Sequence, residues 1–182
     1  MNERTYSNSV ERLRSPERME RLEVKRVVDI CLEGETINLV LDIGVGSGLF
    51  AEEFMNRNIV IAGIDINPEM IKAAGSYLPG CEFKLAPAEE IPYNDGSFDM
   101  AFMGLILHEA DDIKKALSEA KRVSKKLVGV LEWNYREEEI GPKLEHRIKE
   151  DDLKKIAADA GFLKAETIQL NKLVLYKLYI RK

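Results

Sequence analysis

The sequence predicts a doubly wound α/β fold, with a mainly parallel sheet, helices on both faces and a C-terminal antiparallel hairpin. Three observations carry this expectation. From Asn38 onward, short apolar runs of strand length alternate with stretches whose apolar residues recur at helical spacing. A glycine cluster, Gly44, Gly46 and Gly48, follows the first apolar run and turns it into a helix. Near the C-terminus the apolar runs 162–170 and 173–180 are divided at Asn171-Lys172, as in a hairpin.

The elements follow in order. After a polar lead, Ser15-Pro16-Glu17 supplies an N-cap, a first-turn proline and an early acid. One helix is expected from there through Val24, Val27, Val28 and Cys31, ending at Gly34. The run 39–43 is a buried strand, and the helix after the glycines carries Phe50 and Phe54. A second strand at 59–66 leads to Asn67-Pro68-Glu69, which caps a helix with Ile71, Ala74 and Leu78 facing inward. Strands at 82–85 and 98–105 come next, the latter after the turn Asn94-Asp95-Gly96. A long helix places Ile113, Ala116, Leu117, Ala120 and Val123 on one face. A fifth strand spans 127–133, and a last helix with Leu153, Ile156, Ala157 and Ala160 stops at Gly161.

The bulk numbers exclude several classes. At 182 residues, 45% hydrophobic and 32% charged, the chain reads as one ordinary globular domain. A net charge of −5 gives no electrostatic footprint for nucleic acid or an anionic membrane. The first fourteen residues have no apolar core of a signal peptide, and the longest apolar run, 100–107, is far below a membrane span. Cys31 and Cys81 alone make neither a disulfide framework nor a zinc site, so a cytoplasmic protein is expected. Two histidines among scattered acids give no metal site. Lys114, Lys115, Lys121, Arg122, Lys125 and Lys126 read as the solvated face of the long helix.

Ligands of such sheets lie beyond the carboxyl ends of the strands, where strand order reverses. The first strand ends Asp42-Ile43-Gly44-Val45-Gly46-Ser47-Gly48. Glycines there permit a tight turn and close backbone approach to a ligand. A pyrophosphate cradle has its third glycine three positions after the second. Here the gap is two, with an acid two positions before the first glycine, which argues against a nicotinamide oxidoreductase. Asp65 ends the second strand, where an acid can accept both ribose hydroxyls of a nucleoside. Its plainer role would be to open the turn before Asn67-Pro68.

Three stretches, LDIGVGSGLF at 41–50, GIDINPEM at 63–70 and AEEIPYNDGSFDMAFMGLILHE at 88–109, resemble class I S-adenosylmethionine-dependent methyltransferases. The likeness is to the compact methyltransferase type 11 group typified by ubiquinone and menaquinone biosynthesis enzymes. LEW at 131–133 and GPKLEHRI at 141–148 resemble small members of that group, so the likeness covers 38–182. It implies a Rossmann-like domain over 1–182, with an N-terminal helical cap at 1–37 and a cofactor-binding core at 38–182. It also implies S-adenosylmethionine as cofactor and S-adenosylhomocysteine as product.

By position, the resemblance passes Gly44, Gly46 and Gly48 under the methionine part and lets Asp42 reach its ammonium, directly or through water. It gives Asp65 the ribose, Ile66 the adenine and Ala88 a backbone N–H to the adenine edge, with Met70 in the same set. Met103, Gly104 and Leu105 would line the methyl-donor end. The acid often found before Ala88 is Pro87 here, with Glu89 as the substitute. The usual Lys-Pro-Gly-Gly turn before the fifth strand is replaced by Ser124-Lys125-Lys126, expected to form a shorter loop.

His108 and Glu109 follow the fourth strand, where the acceptor pocket opens in the resembling enzymes. His108 is the candidate general base there, or else a helix-capping or merely hydrogen-bonded histidine. Trp133 would wall the same pocket or pack in the core, and His146 would fold over it or stay on the surface. The expected reaction is methyl transfer to a small-molecule acceptor. The absence of an Asn-Pro-Pro-Tyr-like tetrad counts against methylation of DNA bases or glutamine. The rival is a non-catalytic S-adenosylmethionine-binding sensor or scaffold subunit, and assembly as a homodimer is left open.

Overall fold

Strand residues alternate between two buried faces, so the sheet must be covered on both sides. In the computed structural model, which describes residues 13–180, seven strands form that sheet. They are β1 (Leu39–Ile43), β2 (Val60–Asp65), β3 (Glu82–Leu85), β4 (Phe98–Gly104), β5 (Ser124–Trp133), β6 (Lys164–Gln169) and β7 (Leu173–Tyr179). The helices are α1 (Pro16–Arg21), α2 (Val24–Leu32), α3 (Leu49–Met55), α4 (Pro68–Tyr77), α5 (Ile113–Val123) and α6 (Glu150–Asp159). No helix among the described residues is long and apolar enough to cross a membrane.

Val40, Met100, Phe102, Leu127 and Leu131 pack with residues of α2, α3 and α4. Leu41, Ile43, Ala101, Met103, Val128 and Val130 pack on the opposite face with α5 and α6. Phe102 anchors the first core, its ring centroid 4.9 Å from that of Phe50 and 5.5 Å from that of Phe54. Such aromatic pairs add about 0.5–1.5 kcal/mol beyond their burial.

The strand order is β3-β2-β1-β4-β5-β7-β6. Pairing is parallel from β3 to β5, and β7 runs antiparallel to both β5 and β6. The doubly wound architecture with its C-terminal hairpin is therefore as expected. The chain leaves β1 towards β3 and returns to β4 on the other side of β1. Strand order reverses between β1 and β4, and that crevice is the site such sheets offer to ligands.

Three local expectations need correction. The single N-terminal helix is two helices, broken at Glu23, whose φ of 49° lies in the left-handed region. Glu23 is held there from outside the helix, since its carboxylate accepts from Asn171 N (2.9 Å) and pairs with Arg26. Ser124-Lys125-Lys126 forms no loop: β5 begins at Ser124, whose hydroxyl donates to Ala120 O (2.7 Å) as α5 ends. Lys125 and Lys126 therefore leave the helix face; Lys114 and Lys115 on it are exposed as expected, but Lys121 and Arg122 are engaged. Lys121 Nζ donates to Ala160 O (3.2 Å), and Arg122 donates to Ile91 O (2.9 Å) and Tyr93 O (2.8 Å).

Candidate active site

The loop after β1 is tied to its neighbour strand by backbone. Gly44 N and Val45 N both donate to Ile64 O, at 2.8 and 2.9 Å. Gly44 has φ 73°, and a Cβ there would come within 2.4 Å of Ile106 Cγ2. Gly46 has φ 53°, and a Cβ there would meet no protein atom within 4 Å. Packing does not demand glycine at 46. Its backbone conformation does, and the open space beside it belongs to the crevice.

Asp65 fastens this loop to the start of α4. Its Oδ2 accepts from Gly46 N and its Oδ1 from Asn67 N, each at 2.8 Å. A carboxylate has about four lone-pair positions, so acceptor capacity is left over. Burial raises its pKa above the usual carboxylate range, although the N–H groups of Asn67, Gly46 and Ile66 oppose this. Ile66 beside it is 64% exposed, a large apolar side chain open to the crevice.

At the end of β4 the chain makes an unusual turn. Leu105 has φ 62°, a left-handed conformation that costs a leucine of order 1–3 kcal/mol. It is held there by its N–H, which donates to Leu131 O (2.8 Å). The turn leads into a single 3₁₀ turn, Leu107–Glu109, that aims His108 into the crevice. His108 Nδ1 lies 2.9 Å from Glu132 Oε2. Glu132 Oε1 accepts from Leu107 N (2.9 Å) and His108 N (3.3 Å), so one buried carboxylate holds both backbone and ring. A carboxylate can only accept, which puts a proton on Nδ1 and leaves Nε2 to the crevice, 3.8 Å from Glu109 Oε1.

Burial works to lower the pKa of His108, but the charge and hydrogen bond of Glu132, with Glu109, outweigh it and hold it above the ordinary histidine value. Burial pushes Glu109 up to about 7, against the pull of His108 and with the Glu132 and Asp65 charges adding to it.

A cavity of about 1070 Å³ joins these groups. Ligand sites run to roughly 300–1,000 Å³, so this one has room for a nucleoside-sized ligand and a second small molecule. Its roof comes from two segments. The first is α1 with the residues before it: Arg14 donates to Ser47 O of the glycine loop (2.9 Å) and lies over the Tyr77 ring. The second is the stretch 134–147, drawn together by buried Arg147. That guanidinium donates to the carbonyls of Asn134, Arg136, Ile140 and Pro142 at 2.7–3.1 Å.

Of the residues singled out in the sequence, Gly44, Gly46, Asp65, Ile66, Met70, Ala88, Glu89, Gly104, Leu105, His108, Glu109, Trp133 and His146 line this cavity. Asp42, Gly48 and Met103 do not. Strand alternation sends Asp42 to the face under α3, where it is 2% exposed and cannot reach a ligand directly. Burial pushes its pKa up to about 8, the Asp65 charge adds to this, and Ala51 N–H opposes it. Met103 points into the core on the α5/α6 face, and Gly48 sits against Leu78. Glu89 is partly committed, its Oε1 accepting from Asp111 N and Asp112 N.

Glu132, Arg147, Arg18 and Arg21 were missed. Glu132 left one signal, an acid alone in the otherwise apolar run 127–133.

Comparison with known proteins gives a concordant picture. A model of the methyltransferase domain matches residues 41–127. An uncharacterised protein of Methanocaldococcus jannaschii is 35% identical over 132 residues, 70% of this chain and 58% of its own length. A ubiquinone/menaquinone biosynthesis C-methyltransferase of Citrifermentans bemidjiense is 36% identical over 95 residues, 47% of this chain and 40% of the relative. The chain thus spans about half the length of the curated relatives it matches. A crystal structure of a SAM-dependent methyltransferase from Aquifex aeolicus superposes with a TM-score of 0.81 at 24% identity, covering 94% of this chain and 97% of that one. The two share a Rossmann-like fold.

Proposed function

We propose, on the premise that residues 41–127 belong to the methyltransferase domain family, that the chain transfers a methyl group from S-adenosylmethionine to a small-molecule acceptor. The carrying observation is one cavity that joins the Gly44–Gly46 loop and Asp65 to the His108–Glu132 pair. The residues present fit the cofactor: an open cradle at Gly46, spare acceptor capacity on Asp65 and the exposed apolar Ile66. Gly44 and Gly46 would hold its methionine part, Asp65 the ribose, Ile66 and Met70 the adenine face, and Ala88 and Glu89 the adenine edge. The cofactor supplies an electrophilic methyl group on a sulfonium, so no metal is called for.

The chain's own work is then to position, to exclude water and to move a proton. Glu132 fixes the ring of His108 with Nε2 towards the cavity, and His108 takes a proton from an acceptor hydroxyl or amine as the new bond forms. Trp133 and Leu105 bound the acceptor space, and α1 with the 134–147 segment closes it from water. A buried carboxylate that orients a histidine favours the catalytic reading over a binding-only protein, which has no use for it. Nothing in this mechanism needs a second copy of the chain. Residues 1–37 act as a cap and 38–182 as the cofactor-binding core, the first twelve and last two lying outside the described residues. A cytoplasmic setting belongs to the same reading, with Cys31 and Cys81 both free thiols. The test is release of S-adenosylhomocysteine when S-adenosylmethionine and fractionated metabolite pools are supplied. Release above the protein-free control in at least one fraction is expected, and none in any fraction would contradict the assignment.

A further inference from the structure

The cavity holds one cation, Arg21, that the methyl-transfer machinery leaves without a task. Arg14 bonds the glycine loop, while Glu23 bonds Asn171 in the β6–β7 turn (2.9 Å). Helix α1 between them therefore crosses the carboxyl ends of the central strands. Arg18 and Arg21 stand three residues apart on it, on neighbouring positions of one helix face, and both line the cavity. Arg21 forms no ion pair or hydrogen bond with any described residue, and its Nε is buried from solvent without a partner. A favourable interaction with the end of the helix dipole would account for arginines in the last turn of α1, but not for a buried guanidinium N–H with nothing to receive it.

Asp65 and Glu89, two acids of the cavity, are committed elsewhere. Asp65 gives an acceptor position on each oxygen to backbone N–H groups, and Glu89 caps the Asp111–Asp112 turn. Both belong to the β2–β3 half of the site. Glu109 sits beside His108, where burial keeps it partly protonated near neutrality.

Resting on the methyltransferase assignment above, we propose that the methyl acceptor is an anion, a small molecule bearing a carboxylate or phosphate that Arg21 grips beneath α1. A guanidinium presents paired N–H donors that match either group bidentately. The grip at one end would set the acceptor's reacting atom towards His108 at the other, beside the wall of Leu105, Ile106 and Trp133.

The test uses the protein saturated with S-adenosylhomocysteine, titrated calorimetrically with benzoate, phenyl phosphate and the neutral benzamide. An anion should bind saturably and more tightly than benzamide; benzoate alone would mark a carboxylate acceptor, phenyl phosphate alone a phosphate one. Arg21→Gln should weaken the anion roughly 10- to 100-fold, with Arg21→Lys between it and the wild type. Affinity for S-adenosylhomocysteine should be unchanged in both, which also shows that they fold. Benzamide binding as well as both anions, anion affinity unchanged in Arg21→Gln, or no binding of either anion at millimolar concentration would overturn the proposal. Failure of the wild type to bind S-adenosylhomocysteine would instead overturn the assignment beneath it, before any probe is added.

Discussion

Replacing Glu132 by Gln removes one buried charge and keeps the shape of the side chain. In the wild type that charge faces His108 Nδ1 at 2.9 Å, and the two side chains are 2% and 9% exposed. Solvent screening is slight there, so the interaction retains most of its strength. A hydrogen bond to a charged group contributes roughly 1.5–3 kcal/mol, and one pH unit corresponds to about 1.36 kcal/mol. His108 in Glu132→Gln should therefore titrate roughly 1–2 pH units lower than in the wild type, with burial now opposed only by the Glu109 charge. The amide also offers Nδ1 a donor as readily as an acceptor, which releases the tautomer that keeps Nε2 free. The assay is a nitrogen-15 imidazole titration by NMR, with a His146→Gln variant to assign the only other histidine. The raised midpoint also makes a stability statement. The folded chain binds the His108 proton more tightly than the unfolded chain, whose midpoint is about 6.5. That contribution is full below about pH 6.5 and is lost as pH rises through the folded midpoint, a limb that Glu132→Gln should flatten. A His108 midpoint unchanged by the substitution would refute the pairing as the source of its basicity.

His108→Gln should lower kcat by roughly 10²–10⁴ with little change in cofactor affinity, and the wild-type rate should rise with pH through a midpoint above the ordinary histidine value; wild-type turnover in the variant would remove the base. Asp42→Asn should raise the Tm of the ligand-free protein at pH 8, by about 2–4 °C for each kcal/mol of burial cost removed in a chain of this size, because the buried carboxyl, held up to about 8, no longer has to ionise. Its benefit should shrink towards pH 5, where Asp42 is already protonated, and a lower Tm at pH 8 would contradict the burial argument. Arg147→Gln leaves several loop carbonyls without their shared donor, so trypsin should cut after Arg136 or Lys143 about tenfold faster or more. An unchanged cleavage rate would mean that the segment is held by other contacts.

Much of the frame was legible because the signals are local. The apolar run at β1 is bounded by a polar lead and a glycine loop, and β3 falls between two turns, so both were expected at the bounds observed. Asn67-Pro68 sets the start of α4 by a side-chain cap that the sequence shows directly. The break at Glu23 was not legible, because its cause lies 148 residues away in the β6–β7 turn. Asp42 and Met103 stand at the expected ends of their strands but face the helix-covered cores rather than the cavity. The face a strand residue takes depends on which helices cover it, and periodicity alone does not say. Glu132 stood out as a lone acid, but its pairing with His108 was out of reach for a related reason. It meets His108 only because β4 and β5 are adjacent and in register, Gly104 opposite Leu131. Arg147 stands in a stretch with no period, so nothing marked it as the hub of the roof.

The most direct test of the central claim is calorimetric titration of S-adenosylhomocysteine into the wild type and into Asp65→Asn. Asn keeps one acceptor oxygen for the Gly46 or Asn67 N–H, so the loop is disturbed less than by Ala, which would abandon both. The wild type should bind one equivalent, with no heat from NAD. Asp65→Asn should bind roughly 10- to 1000-fold more weakly, as one or two charge-assisted hydrogen bonds are lost. Tight NAD binding without S-adenosylhomocysteine binding, or equal affinity in the two proteins, would contradict the account.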